Sequence, residues 1–249
     1  MTSTAFRPQL GDIKTAFALL TRLPVKASFE RTAEATWAFP LVGAVVGLIT
    51  LTIALLSDWI GLGLGVSTGL AIAGAVFITG AMHEDGIADS ADGLWGGWTP
   101  ARRLEIMRDS HIGTYGVLAL IMVMLLRFSA ISVVMNNLHL GTLVAAAVLS
   151  RAAMPFVMTL LPNARDDGLS VQTGRPSGTS AAIGAVIALA LAWLSIGFVP
   201  MVCAASACGL VIVAVMKIAT AKIGGQTGDI LGATQILCEL CVLAICTTL

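Results

Sequence analysis

Long apolar runs alternate with short polar breaks along almost the whole chain, and the alternation predicts helices. Seven runs have about the 20 residues a helix needs to cross a bilayer: 38–57, 61–82, 115–135, 138–161, 180–199, 201–219 and 231–249. Ahead of them, residues 9–23 (QLGDIKTAFALLTRL) read as an amphipathic helix too short to span, which places it at the membrane surface. Glycine and alanine crowd the second, fifth and sixth runs, a composition that in membranes accompanies close helix packing. No repeat, low-complexity tract or linker breaks the pattern. The expectation is an all-α, polytopic integral membrane helical bundle of about seven transmembrane helices plus an N-terminal interfacial helix, with residues 1–249 forming a single domain.

Composition points the same way. The chain is 57% hydrophobic and only 11% charged, where soluble domains carry about a quarter charged residues. Its net charge is zero, which gives no reason to expect nucleic acid as a partner. The opening MTSTAFRPQLGDIKTAFALL lacks the continuous apolar core of a cleavable signal peptide. All five cysteines fall in the last fifth of the chain and read as small buried apolar side chains. Cys238 and Cys241 form a C-x-x-C, but no second pair or histidine group stands near in sequence to complete a zinc site.

The charges sort by connection. Lys and Arg precede the first run, and they recur between the second and third, between the fourth and fifth, and around the break between sixth and seventh. The alternate connections, near 57–61, 136–140 and 197–201, contain none. By the positive-inside rule the N-terminus is cytoplasmic and the C-terminus lies outside, as for a multi-pass protein of the inner membrane. Acidic residues follow the same side: apart from Asp58 in an outer connection and Glu239 within the last run, every carboxylate lies on the cytoplasmic side or at its edge. The polar chemistry is therefore expected in three cytoplasmic connections that a bundle would bring together.

The densest acidic segment is HEDGIADSADGLWGG, residues 83–97. On a helix, Asp85, Asp89 and Asp92 fall within an arc of roughly 60°. Three carboxylates on one face repel unless a cation lies between them, and short hard-oxygen ligands suit Mg2+, with Mn2+ the second choice. The alternative is a solvated acidic helix end. Gly86 and Gly93 would let a substrate approach the backbone, and Gly93 could end the helix. His83 falls on the opposite face from Asp85 and reads as a structural histidine. Downstream, RRLEIMRDSHIGTYG (102–116) offers Arg102 and Arg108 for phosphate oxygens, with Asp109 beside them. In GGQTGDILGAT (224–234), Gly224, Gly225 and Thr227 form a plausible phosphate-approach turn before Asp229. Asp229 is open to two readings, a further metal ligand or a simple N-terminal helix charge. Arg127 and Arg151 lie well inside runs, where a charge needs a partner or a polar cavity.

Three motifs in this order, H-x-D-G-x-A-D-x-x-D-G at 83–93, R-x-L-E-I-M-R-D-S-x-x-G-x-x-G at 102–116 and G-G-x-T-G-D at 224–229, resemble the cobalamin synthase family, the adenosylcobinamide-GDP ribazoletransferases. TRLPV at 21–25, Ser150–Arg151 and P-x-A-R-x-D-G at 162–168 extend the resemblance over nearly the whole chain. The resemblance implies an Mg2+-dependent enzyme of cobalamin (vitamin B12) biosynthesis that completes the lower ligand. A ribose hydroxyl of α-ribazole, or of its 5′-phosphate, attacks the cobinamide-linked phosphorus of adenosylcobinamide-GDP, and GMP leaves. On that reading Asp85, Asp89 and Asp229 hold the metal, and Arg102, Arg108 and Arg151 hold phosphates. Asp92, furthest along the shared face, is the expected base, with Asp109 the alternative. Two other readings stay open. The acidic cluster echoes the CDP-alcohol phosphotransferases, although their pattern has arginine where this chain has Asp89 and does not include G-G-x-T-G-D. A cation transporter would need carboxylates at the membrane midplane, where only Glu239 lies. The lower-ligand base, the 5′-phosphate and a homo-oligomeric state are not fixed by sequence.

Overall fold

The computed structural model describes residues 6–248. Residues 1–5, part of the opening stretch, and residue 249, the end of the seventh run, lie outside the described residues. The surface helix is α1 (Leu10–Leu20), and a 3-10 turn at Glu34–Ala38 leads into α2 (Phe39–Trp59). There follow α3 (Leu64–Thr79), α4 (Met82–Gly96), α5 (Pro100–Ile106), α6 (Thr114–Asn136) and α7 (Gly141–Leu160). The chain closes with α8 (Leu169–Thr173), α9 (Gly178–Ile196), α10 (Phe198–Ile223) and α11 (Gly228–Cys246). Among the described residues six helices, α2, α6, α7, α9, α10 and α11, are long and apolar enough to cross a membrane, and α3 with α4 forms a bent pair that makes up to seven, so the protein is a polytopic helical membrane protein.

The second run differs from its expectation. Gly80 and Ala81 both take left-handed backbone angles (φ +66° and +56°), and the chain turns by 87° between α3 and α4. The 16 residues of α3 reach only about 24 Å at 1.5 Å per residue. The acidic helix α4 therefore does not continue the span but runs across the end of the bundle.

The bundle is organised around α7, 83% of whose apolar window is buried, against 22% for α6 and α10, which turn their leucines and valines outward. Such broad apolar exposure belongs in lipid. α2 crosses α7 closely: a Cβ at Gly47 would come within 2.7 Å of the Val144 Cα, and one at Gly43 would strike the Ala147 carbonyl. The expectation from composition holds in part: a Cβ on Gly74 of the second run would strike Ile53, and one on Gly184 of the fifth would meet the Trp37 carbonyl at 3.3 Å. Gly69 and Gly209, in the glycine-rich second and sixth runs, meet nothing within 4 Å, because those faces look away from the core.

The connections that carry Lys and Arg gather at one end of the bundle with α1, α4, α5 and α8. At the other end Leu138, Thr142, Ser195, Pro200 and Cys246 surround a common hollow. At the charged end α1 is pinned by Asp12, which accepts from Arg31 Nε (3.1 Å) and Trp37 Nε1 (3.0 Å). All five cysteines are free, with Cys208, Cys238 and Cys246 buried.

Candidate active site

A hollow of about 220 Å3 opens at the charged end of the bundle, between α1, α4, α7, α8 and α11. Its rim carries Asp85, Asp229 and Arg165, while Phe39, Met154 and Met158 lie in its walls. Two chain segments distant in sequence are stapled together to make this rim. The Ala164 amide donates to the Gln226 carbonyl (2.9 Å), and the Gln226 amide donates to the Pro162 carbonyl (2.8 Å). The Gln226 side chain also donates to Asn163. A Cβ on Gly225 would collide with the Pro162 carbonyl oxygen. The paired glycines of 224–225 therefore serve this close approach and the end of α10, where Gly224 takes φ +79°. Both positions thus have a reason to be glycine that is independent of the phosphate-approach turn expected from sequence. Thr227 likewise acts locally. It is fully buried, its hydroxyl accepts from the Ile230 amide as the cap of α11, and it donates to Asp229 Oδ2 (3.1 Å).

The staple brings Arg165 to Asp229, with Nη2 3.4 Å from Oδ2. Arg165 Nε and Nη1 are buried without a hydrogen-bond partner among the described residues; Nε faces Asp167 Oδ1 at 3.7 Å, and Nη1 remains a donor for an anion. Arg165 stands in the P-x-A-R-x-D-G motif but received no role from sequence. Its position depends on a contact between loops about 60 residues apart, which no local pattern announces. Arg108 pairs with Asp167 of the same loop and so joins this group. Arg102 does not: it pairs with Glu105 at 2.7 Å on the exposed face of α5.

The four carboxylates of α4 divide between different roles. Asp85 is exposed at the rim. Asp89, one turn further along the same face, is half-buried. Burial, followed by the charges of Asp85, Asp229 and Asp92, pushes its carboxyl up to about 7, with Arg165 pulling the other way. Asp92 is buried and accepts from the Gly113 amide (2.7 Å) and the Gly116 amide (2.9 Å) at the start of α6. A side chain at either glycine would strike its carboxylate, so G-x-x-G at 113–116 exists to admit Asp92. The expectation that Asp92 acts as the base is corrected on this point, since both its oxygens are committed to capping α6. The alternative, Asp109, is exposed and bound to its neighbour His111, with 2.7 Å between Oδ1 and Nδ1.

Glu84 points the other way, into the bundle. Arg127 Nη1 donates to it at 2.6 Å and Arg127 Nη2 to Glu239 at 2.6 Å. Gln235 bridges Glu239 and Ser150 at 2.7 and 3.0 Å. This buried network ties α4 to α6, α7 and α11 and supplies the partner that an intramembrane arginine requires. Arg151 lines the same interior cavity and donates to the Ala147 carbonyl (3.1 Å). It belongs with the network rather than with the rim, which corrects its expected phosphate role. The α4 glycines also serve packing. A Cβ on Gly86 would meet the Asp229 carbonyl at 2.9 Å and Gly232 at 3.0 Å, and one on Gly93 would strike Met107. Neither glycine opens a path for substrate, and α4 runs past Gly93 to Gly96. His83, assigned by helical angle to the opposite face, lines the same hollow as Asp85.

Asp85, Asp89 and Asp229 thus converge from two helices without forming a closed cage. Among the described residues, no group of three or more His, Cys, Asp or Glu side chains lies close enough to hold a metal ion. The donor chemistry nonetheless suits Mg2+, which is commonly held by one or two carboxylates and takes its remaining ligands from water and substrate phosphates. The crowding that raises Asp89 is the kind that a divalent cation relieves.

Comparison with known proteins agrees with the motifs. The family described as Cobalamin-5-phosphate synthase matches residues 12–247. An adenosylcobinamide-GDP ribazoletransferase of Bradyrhizobium diazoefficiens is 42% identical over 96% of this chain and 94% of its own length. Proteins of the same description from Mesorhizobium japonicum and Azorhizobium caulinodans are 39% and 40% identical, over 96% and 94% of this chain and 93% and 94% of their own lengths. No solved structure matches this chain. With the family matched from the surface helix to the last span, and its three motifs meeting at one end of the bundle, the chain belongs to the cobalamin-5-phosphate synthase family.

Proposed function

We propose that this enzyme joins adenosylcobinamide-GDP to α-ribazole, or to α-ribazole 5′-phosphate, at the rim of the α4–α11 hollow. GMP is released, and adenosylcobalamin or its 5′-phosphate is formed. The observation that carries the reading is the meeting of Asp85, Asp229 and Arg165 at one opening, with Asp89 close enough behind them to feel all three charges, drawn from three separate segments of the family match. Asp85, Asp89 and Asp229 hold Mg2+, or Mn2+ in its place. Bound there, the ion would supply charge neutralisation for the diphosphate oxygens. Arg165, whose Nη1 has no hydrogen-bond partner among the described residues, binds phosphate oxygens, and Asp167 joins it to Arg108, facing Arg165 Nε at 3.7 Å and pairing with Arg108. The proton of the attacking hydroxyl goes to a carboxylate of this same group, because Asp92 is committed to α6 and Asp109 to His111. The distribution of Lys and Arg supports placing this end at the cytoplasmic face of the inner membrane.

The test is to incubate detergent-purified protein with adenosylcobinamide-GDP, α-ribazole and Mg2+ and to assay GMP and complete cobamide. Both products should appear in equal amounts and vanish on chelation. GMP without cobamide, or no turnover with Mg2+ present, overturns the reading.

A further inference from the structure

The hollow continues inward from its charged rim, and its interior has a different chemistry. Met154 and Met158, four residues apart on one face of α7, are 3% and 2% exposed and form one wall. Phe39, 2% exposed, and Leu20 add to it. Methionine sulfur is polarisable and packs well against aromatic rings, and Phe39 adds an aromatic surface. Three polar side chains interrupt this apolar lining: Ser170, Thr173 and His83. His83 is 2% exposed, and its Nε2 has no hydrogen-bond partner among the described residues.

We propose that this inner chamber binds the flat aromatic base of α-ribazole, so that the attached ribose lies at the Asp85–Asp229 rim. The proposal rests on the reaction assigned above and divides its two substrates between the inside and the outside of the hollow. Size excludes the corrinoid: at about 220 Å3 the chamber is below the 300–1,000 Å3 typical of sites for drug-sized ligands. Polarity argues against the two purines of adenosylcobinamide-GDP, its guanine and the adenine of its adenosyl group. Guanine presents several donors and acceptors along its edges, adenine too has several ring nitrogens and an amino group to satisfy, and burying them against methionine and leucine without partners is costly. A benzenoid base has one unsubstituted ring nitrogen to satisfy, and His83 Nε2 supplies one partner. The corrinoid and its diphosphate then approach from outside, against Arg165.

The experiment measures KM separately for each substrate in purified protein, comparing wild type with Met158→Ala, Met154→Ala and the volume-conserving Met158→Leu. Either alanine variant should raise KM for α-ribazole by about tenfold or more, as expected when a hydrophobic pocket loses methylene contacts. KM for adenosylcobinamide-GDP should stay unchanged, and Met158→Leu should behave almost as wild type. GMP should not compete with α-ribazole. A shift confined to adenosylcobinamide-GDP, an equal shift in both constants, no shift in either, or competition by GMP overturns the proposal. Equilibrium binding of radiolabelled α-ribazole to wild type and Met154→Ala needs no turnover and separates this proposal from the assigned reaction. Weakened binding in the variant supports the chamber even where product formation fails, and equal binding overturns it even where turnover is normal. Should an alanine variant not fold, a series of ribazoles on wild-type protein carries the same test. Benzenoid bases should bind more tightly than purines, and the reverse order overturns the proposal.

Discussion

Burial and three neighbouring carboxylates raise Asp89 from the ordinary 3.8 to about 7 when no cation is bound. Between those values the folded protein holds more protons than the unfolded chain, so stability is lost as pH rises through the window. Asp89→Asn cannot titrate. In the presence of chelator, its melting temperature should gain on wild type from about pH 4 to about pH 7 and then run parallel. A gap that does not change with pH would mean that the carboxylates do not crowd Asp89. Arg165 makes the second residue-scale prediction. Arg165→Gln should lower kcat/KM by about a hundredfold, the scale of losing one preorganised donor to a developing charge. Arg102→Gln, which breaks only an exposed pair with Glu105, should leave it close to wild type. Equal losses in the two variants would remove Arg165 from its assigned place.

At the scale of elements, Asp92 joins α4 to the start of α6, and its two possible roles separate cleanly. As a cap for the Gly113 and Gly116 amides, Asp92→Ala should cost about 3 kcal/mol of stability, read as a lower denaturation midpoint in detergent. Asp92→Asn, which keeps one acceptor, should cost less and retain turnover. A folded Asp92→Asn protein without turnover would restore Asp92 as the base. Six of the seven expected spans were legible in sequence because about 20 consecutive apolar residues have few other uses. The face shared by Asp85 and Asp89 was legible because helical spacing alone fixes it. The turn at Gly80 and Ala81 was not, since Ala81 takes an angle its residue type seldom adopts and the apolar run continues through it. Asp92 and Arg165 were misread or passed over for a shared reason: their partners lie 21 or more residues away and are brought in by tertiary packing. Arg127 and Arg151 look alike as charges inside spans, and only Glu84 and Glu239 separate them by pairing with the first.

At the scale of the whole molecule, the single crossing of α7 puts α8 and the 137–140 turn at opposite ends of the bundle. Thr173 is buried against the hollow, but its neighbour Gln172 is exposed, as is Asn137. In a background without the five native cysteines, Gln172→Cys and Asn137→Cys should react with an impermeant thiol reagent from opposite sides of the membrane, Gln172 from the cytoplasm. Labelling of both from one side would contradict the orientation. The central claim is that carboxylates carried by α4 and α11 share one divalent cation at the reacting diphosphate. Asp229 tests it most directly, because its other reading, a helix N-terminal charge worth roughly 0.3–1 kcal/mol, affects stability alone. The measurement is the apparent Mg2+ constant for turnover in wild type and in Asp229→Asn. A raised constant together with a lower maximal rate is the expected result, and an unchanged constant with retained turnover would contradict the shared site.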